Sequence, residues 1–151
     1  MANAAGGRRI LIVDDDPDLT DLLTDGLRLV GRFDVVVAPD GANGLETLEQ
    51  TRPDCVVVDV RMPGLNGYQF VRALRGDPET AQTPIVVLSA LTQHHEQLAG
   101  LLSGADAYLV KPVKLAELVR TIKRVMDLTA EQRSMQMCAL TEQLAPGRGE
   151  S

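Results

Sequence analysis

Four short apolar runs in this chain each end in a residue able to do chemistry. Ile10-Leu11-Ile12-Val13 leads into Asp14-Asp15-Asp16, and Cys55-Val56-Val57-Val58 into Asp59. Ile85-Val86-Val87-Leu88 leads into Ser89, and Ala107-Tyr108-Leu109-Val110 into Lys111-Pro112. In an open parallel α/β sheet, ligands bind beyond the carboxyl ends of the strands. Carboxylates, a hydroxyl and an ammonium gathered there suit a divalent cation and a phosphoryl group. A hard cation such as Mg²⁺ takes oxygen ligands, carboxylates among them, and keeps places for phosphate oxygens and water. Asp15 and Asp59 can supply two carboxylates, with Asp14 close by and acting through water. Crowded carboxylates repel and raise one another's pKa, so the cluster implies a counter-charge. Lys111 offers one, and a divalent metal offers more. An aspartate can also attack phosphorus and become an acyl phosphate. The compact Lys111 charge and the Ser89 hydroxyl would then face the transferring oxygens, with backbone groups of the loop after Asp59 as further donors.

Taken singly, each of these residues has a blander reading. An Asp after a strand caps or turns, a Ser after a strand caps a helix, and Lys-Pro marks a strand exit. The ordered set, one member per strand end, is what favours a site.

The elements that must position these residues follow a βαβ pattern, with strand-like runs alternating with helical windows. Residues 9–14 read as the first strand. Asp16 then caps a helix with Pro17 at its first position, and Leu19, Leu22, Leu23, Leu27 and Val30 follow helical spacing up to Gly31. Residues 33–38 read as the second strand, 41–50 as a short helix stopped before Pro53, and 55–59 as the third strand. Met62-Pro63-Gly64-Leu65-Asn66-Gly67 is a loop by composition. A helix over 67–75 turns Phe70, Val71 and Leu74 inward and breaks at Gly76-Asp77-Pro78. The fourth strand spans 84–89, a further helix lies within 92–103 with Gly104 as its cap, and the fifth strand spans 107–110. A last helix starts near Val113. The strands are almost continuously apolar, which fits a sheet covered on both faces. Right-handed crossovers then place helices on both sides of five parallel strands.

A length of 151 residues suits one domain plus a short tail, and 3% aromatic content calls for a core of Val, Leu, Ile and Ala. A net charge of −6 argues against a general nucleic-acid surface, which needs clustered Lys and Arg. Cys55 reads as a small core residue, and Cys55 with Cys138 forms neither a disulfide framework nor a metal spacing. His94 and His95 read as surface residues. The apolar runs are far too short to span a bilayer and the first seven residues hold no signal-peptide core, so a cytoplasmic protein is expected. In the tail, Met126, Ala130, Met137, Leu140 and Leu144 hint at a heptad seam, but Arg133 interrupts it. Residues 129–151 therefore read as a helical extension or linker, and 146–149 as disordered.

As an ordered set, Val13-Asp14-Asp15-Asp16, Asp59 with Met62-Pro63-Gly64 and Gly67, Ser89-Ala90, Tyr108 and Lys111-Pro112 resemble the receiver domain of two-component response regulators. The resemblance covers about residues 8 to 128, after a flexible start over 1–7. It implies a flavodoxin-like, doubly wound sheet of order 2-1-3-4-5. It implies Asp59 as phosphoacceptor, and a Mg²⁺ or Mn²⁺ pocket of Asp14, Asp15, Asp59 and the backbone carbonyl of Arg61. Ser89 and Lys111 would bind the phosphoryl group, Tyr108 would be the switch aromatic, and Arg61 and Leu91 would tune dephosphorylation. Both are bulky, which suggests a long-lived phosphoryl state. Ser89 stands where Thr is frequent in the family, so the methyl group is missing from that coupling. The implied donor is a histidine kinase or histidine phosphotransfer protein. The implied output is a changed face, built from the 92–103 helix, the fifth strand and the last helix, that binds a partner or a second copy. Such a domain is no enzyme beyond its own phosphorylation and dephosphorylation. No output domain follows within these residues, so it works alone or belongs to a longer chain.

Two other classes compete. A haloacid-dehalogenase-type phosphohydrolase would use the Asp-x-Asp of Asp14 and Asp16, but Asp18 stands where that family has Thr or Val, and little sequence remains for a cap. A receiver-like interaction module without phosphorylation would not need the intact acid, hydroxyl and lysine set.

Overall fold

The computed structural model describes residues 8–62, 64–90, 104–128, 132 and 135. Its elements in chain order are β1 (Arg9–Val13), α1 (Pro17–Leu29), β2 (Asp34–Ala38), α2 (Gly41–Thr51), β3 (Cys55–Asp59), α3 (Gly67–Gly76), β4 (Ile85–Ser89), β5 (Ala107–Val110) and α4 (Leu115–Met126). The expected helix within 92–103, His94, His95 and Cys138 lie outside the described residues, as does nearly all of the tail.

All five strands are parallel, in the order β2-β1-β3-β4-β5. This is the flavodoxin-like order. From β1 the chain first winds to β2 and then crosses back to β3, so the direction of winding reverses between β1 and β3. Ligand crevices of doubly wound sheets lie at that reversal, beyond the strand ends. Asp14 follows β1 and Asp59 ends β3, so the topology puts both at the reversal.

Alternate residues of each strand go to opposite faces. Ile10, Ile12, Val57, Val86 and Leu88 enter one core with Leu23 and Leu27 of α1 and Leu118, Ile122 and Val125 of α4. Leu11, Val13, Val56, Val58, Ile85 and Val87 enter the other with Leu48 of α2 and Phe70, Val71 and Leu74 of α3. Every residue of β3 and β4 is buried. With both faces covered, the strands need apolar residues throughout rather than at every second position.

The helix starts are set by short polar side chains. The Asp16 carboxylate accepts from the Asp18 and Leu19 N–H groups, with Pro17 at the first helical position. Asp40 caps α2 by accepting from the Asn43 N–H at 2.8 Å. Asn66 and Gln69 exchange bonds of 2.9 Å each, a capping box that fixes where α3 begins.

Several expectations need correcting. Asp14 lies just past β1 rather than within it, although its N–H still donates to Ala38 O of β2 at 3.1 Å. α4 begins at Leu115 rather than near Val113, since Lys111-Pro112 and the extended Lys114 delay it. Leu22 and Val30 do not join the core of α1 and are 69% and 58% exposed. Leu22 sits on the flank of the apolar stripe, and Val30 is the C-cap, past the last turn.

A part-buried ion pair ties the far end of α3 to the approach to β5. The Arg75 guanidinium donates to Gly104 O, Ala81 O and Thr83 O and to Asp106 Oδ2 at 3.1 Å. Asp106 Oδ2 also accepts the Ile85 N–H at 2.9 Å. Among the described residues, no helix is long and apolar enough to cross a membrane.

Candidate functional site

Asp14, Asp15 and Asp59 each bring a carboxylate oxygen to one spot, with all of those oxygens within 4.8 Å of one another. Asp14 and Asp59 are buried and Asp15 is exposed. The parallel pairing of β1 with β3 makes Val13 the partner of Val58, so the residues that follow, Asp14 and Asp59, stand side by side at the strand ends. Asp14 is further held by the Asp16 N–H, which donates to its Oδ1 at 3.0 Å. Apart from the Asp-x-Asp of the hydrolase alternative, the sequence reading assigned Asp16 only as a helix cap. The two-residue spacing of an Asx turn is the signal that would have shown its second task, orienting Asp14.

Lys111 reaches into this cluster from the end of β5. Its Nζ lies 2.7 Å from Asp59 Oδ1 and 3.4 Å from Asp14 Oδ2. Its own N–H donates to Ser89 O at 2.7 Å, which ties the two strand ends together. Burial pushes the Asp14 carboxyl up and the Asp59 charge adds to this; the Asp16 N–H and Lys111 pull it down without prevailing, so its pKa stays above the ordinary carboxylate value. Burial pulls the Lys111 ammonium down, but its bond to Asp59 and the charges of Asp14 and Asp59 outweigh this and hold its pKa above the usual value. The site thus gathers three carboxylates, two of them bonded to one ammonium. The excess negative charge and the oxygen-only donor set fit a hard divalent cation.

Ser89, Tyr108 and Arg61 lie on β4, on β5 and in the loop after β3. Ser89 is buried at the end of β4, one step beyond Leu88, the register partner of Asp59. Tyr108 pairs with Val87 and is half-buried against the core on the α2 and α3 side. Arg61 is exposed in the loop that follows Asp59. Leu91 lies outside the described residues.

A family model, the response regulator receiver domain, matches residues 10–123. The chain belongs to the response-regulator receiver family. Receiver domains are phosphoacceptor signalling domains rather than enzymes in the usual sense. The chain is 45% identical over 126 residues to the transcriptional regulatory protein PrrA of Mycobacterium leprae, covering 83% of this chain and 53% of that protein. It is 45% identical over 116 residues to the DNA-binding response regulator MtrA of Mycolicibacterium smegmatis, covering 77% of this chain and 49% of that one. The chain therefore spans about half the length of the curated relatives it matches. Among solved structures, a putative response regulator of Chloroflexus aurantiacus superposes with a TM-score of 0.77 at 34% identity, covering 81% of this chain and 99% of that one. The receiver domain of the sensor histidine kinase PA1611 of Pseudomonas aeruginosa, solved with a magnesium ion coordinated in its active-site cleft, gives 0.74 at 32% identity over 81% of this chain and 99% of that one.

Proposed function

We propose that this receiver accepts a phosphoryl group on Asp59 from a histidine kinase or a histidine phosphotransfer protein. The observation that carries the reading is the Lys111 ammonium, bonded to Asp59 at 2.7 Å inside a cluster of carboxylates. An ammonium bonded to the nucleophile stands where the transferring oxygens will develop charge. Asp14, Asp15, Asp59 and the carbonyl of Arg61 would hold Mg²⁺ or Mn²⁺. When bound, that ion supplies positive charge that offsets the carboxylates and the incoming phosphoryl oxygens.

In the step itself an Asp59 carboxylate oxygen attacks phosphorus and forms a P–O bond. The bond from phosphorus to the donor breaks, its electron pair leaving with the imidazole of a phosphohistidine or the acetate of acetyl phosphate. Lys111 then exchanges its bond with the Asp59 carboxylate for one with a phosphoryl oxygen. Ser89, at the end of the next strand, donates to another. Drawing Ser89 toward the acyl phosphate frees space behind it, which Tyr108 fills by turning inward. Phosphorylation shifts this equilibrium only by what it contributes differently to the two states. The face carrying β5 and α4 changes with Tyr108, and a partner or a second copy reads the change. Arg61 and Leu91 set how long the phosphoryl group lasts.

Incubation with Mg²⁺ and acetyl phosphate, followed by intact-mass and peptide analysis, tests the reading. One hydroxylamine-labile adduct on Asp59 is expected. An adduct on Asp14 instead would favour a hydrolase. Absence of both adduct and Mg²⁺ binding would favour an interaction module.

A further inference from the structure

The loop between Asp59 and α3 is closed at its base and pressed at Leu65, and a glycine is required at each place. At the base, the Gly67 N–H donates to Val60 O at 2.9 Å while the Val60 N–H donates to Leu88 O at 3.1 Å. A Cβ on Gly67 would lie 2.5 Å from Asp59 O and 2.8 Å from Val60 Cα, so only glycine lets α3 start this close to the phosphoacceptor. Two residues before α3, Leu65 rests on the first residue of α2. A Cβ on Gly41 would lie 2.8 Å from both Leu65 Cβ and Leu65 O and 2.9 Å from Leu65 Cδ2, where ordinary contact begins at 3.4 Å. One of those atoms is backbone, so a change of the Leu65 rotamer cannot relieve the overlap. α2 has little room to retreat, because Gly44 and Leu48 of the same helix are buried and its first turn is capped by Asp40.

We propose that Gly41 is a positioning residue for the metal and phosphoryl site, acting through Leu65 on the loop that carries the Arg61 carbonyl. The three atoms nearest a Cβ on Gly41 all belong to Leu65 and not to a carboxylate. Gly41 sets how far Leu65 can descend onto α2, and through the loop it constrains where Arg61 presents its carbonyl. A Cβ at this position forces the loop or the helix to give by about 0.6 Å. A Mg²⁺ site tolerates little of that, because its ligands stand near 2.0–2.1 Å in nearly octahedral geometry. Residues that orient a metal's ligands typically change affinity roughly 10–100-fold when altered. The inference rests on the phosphoacceptor reading above and extends it to a residue on a different helix.

The test measures binding of Mg²⁺ alone to the full chain by calorimetry, alongside thermal unfolding. Gly41→Ala is expected to weaken Mg²⁺ roughly tenfold and to slow labelling by acetyl phosphate. Leu48→Ala, which opens a cavity under the other end of α2, is expected to lower the unfolding temperature and leave Mg²⁺ affinity unchanged. Leu65→Ala adds no atoms, examines the same contact from the loop side, and is expected to weaken Mg²⁺ less than Gly41→Ala does. A folded Gly41→Ala chain with wild-type Mg²⁺ affinity would overturn the proposal. So would a loss of affinity in Leu48→Ala that matches its loss of stability. If Gly41→Ala does not fold, wild-type affinity in Leu65→Ala decides against the contact. A wild-type chain that binds no Mg²⁺ overturns the underlying reading of the site, an outcome distinct from the others.

Discussion

Two groups of charges lie in or near the core, and their arrangement differs. Arg75 and Asp106 are one positive and one negative group, with side chains 17% and 1% exposed, and each is surrounded by partners. The guanidinium has three carbonyls besides Asp106, and Asp106 has the Ile85 N–H besides Arg75. At the strand ends, three carboxylates cluster while one ammonium bonds two of them, and the charge does not balance. Burial is costly for a charge unless it is paired and hydrogen-bonded. The first group meets that condition and serves the fold, tying the end of α3 to the start of β5. The second does not meet it, and the upward-shifted Asp14 carboxyl records the cost. The proposed uptake of a cation and a phosphoryl group would require such an imbalance.

The largest effect expected from breaking this contrast is on chemistry. Asp59→Asn removes the nucleophile and should abolish the labile adduct from acetyl phosphate, read by intact mass, while the chain stays folded. Stoichiometric uptake by that variant would end the Asp59 assignment. Next in size is the balanced pair. Asp106→Ala leaves the Arg75 charge and the Ile85 N–H without this acceptor, and should cost about 3–5 kcal/mol of stability, read from a urea midpoint. A loss below about 1 kcal/mol would mean the pair behaves like an exposed one. Mg²⁺ should then separate the two groups. At roughly a hundredfold excess over its Kd it should stabilise the wild-type chain by about 2.7 kcal/mol. Asp59→Asn should lose most of this and Arg75→Lys none of it.

How much of this was legible beforehand depends on whether the signal was local. The strands and their terminal residues could be read because a strand buried on both faces leaves a continuous apolar run, and Asp59, Ser89 and Lys111 punctuate those runs directly. The order of the sheet came from the family resemblance, since spacing alone does not choose among strand orders. Arg75 and Asp106 were not legible as a pair. They are separated by 31 residues, and Arg75 reads as an ordinary solvated residue in the last turn of a helix. The contact of Gly41 with Leu65 was equally silent, because a glycine opening a helix signals nothing about what rests on it. Leu22 misled for the opposite reason: helical periodicity admits a residue on the flank of a stripe that the sheet never covers.

The smallest expected effect is a gain, and its sign separates the two groups most sharply. The Asp14 pKa is raised in the folded chain, so folding disfavours its ionised form. Over the range from its ordinary value of 3.8 up to its folded value, the native state holds more proton than the unfolded state at this position. Stability contributed by Asp14 therefore falls as pH rises through that range, and the full cost is present above it. Asp14→Asn keeps the shape and the acceptor for the Asp16 N–H but removes the charge. With chelator present at pH 7, the variant should be more stable than wild type by roughly 1 kcal/mol, or about 4 °C in Tm. That advantage should shrink as pH is lowered toward 4, where the wild-type carboxyl takes up its proton. Saturating Mg²⁺ at pH 7 should reverse the order, because only the wild-type carboxylate offsets the ion's charge. A metal-free loss of stability in Asp14→Asn that is constant across pH would show that the Lys111 bond outweighs the crowding. The strand-end cluster would then be as balanced as the Arg75 pair.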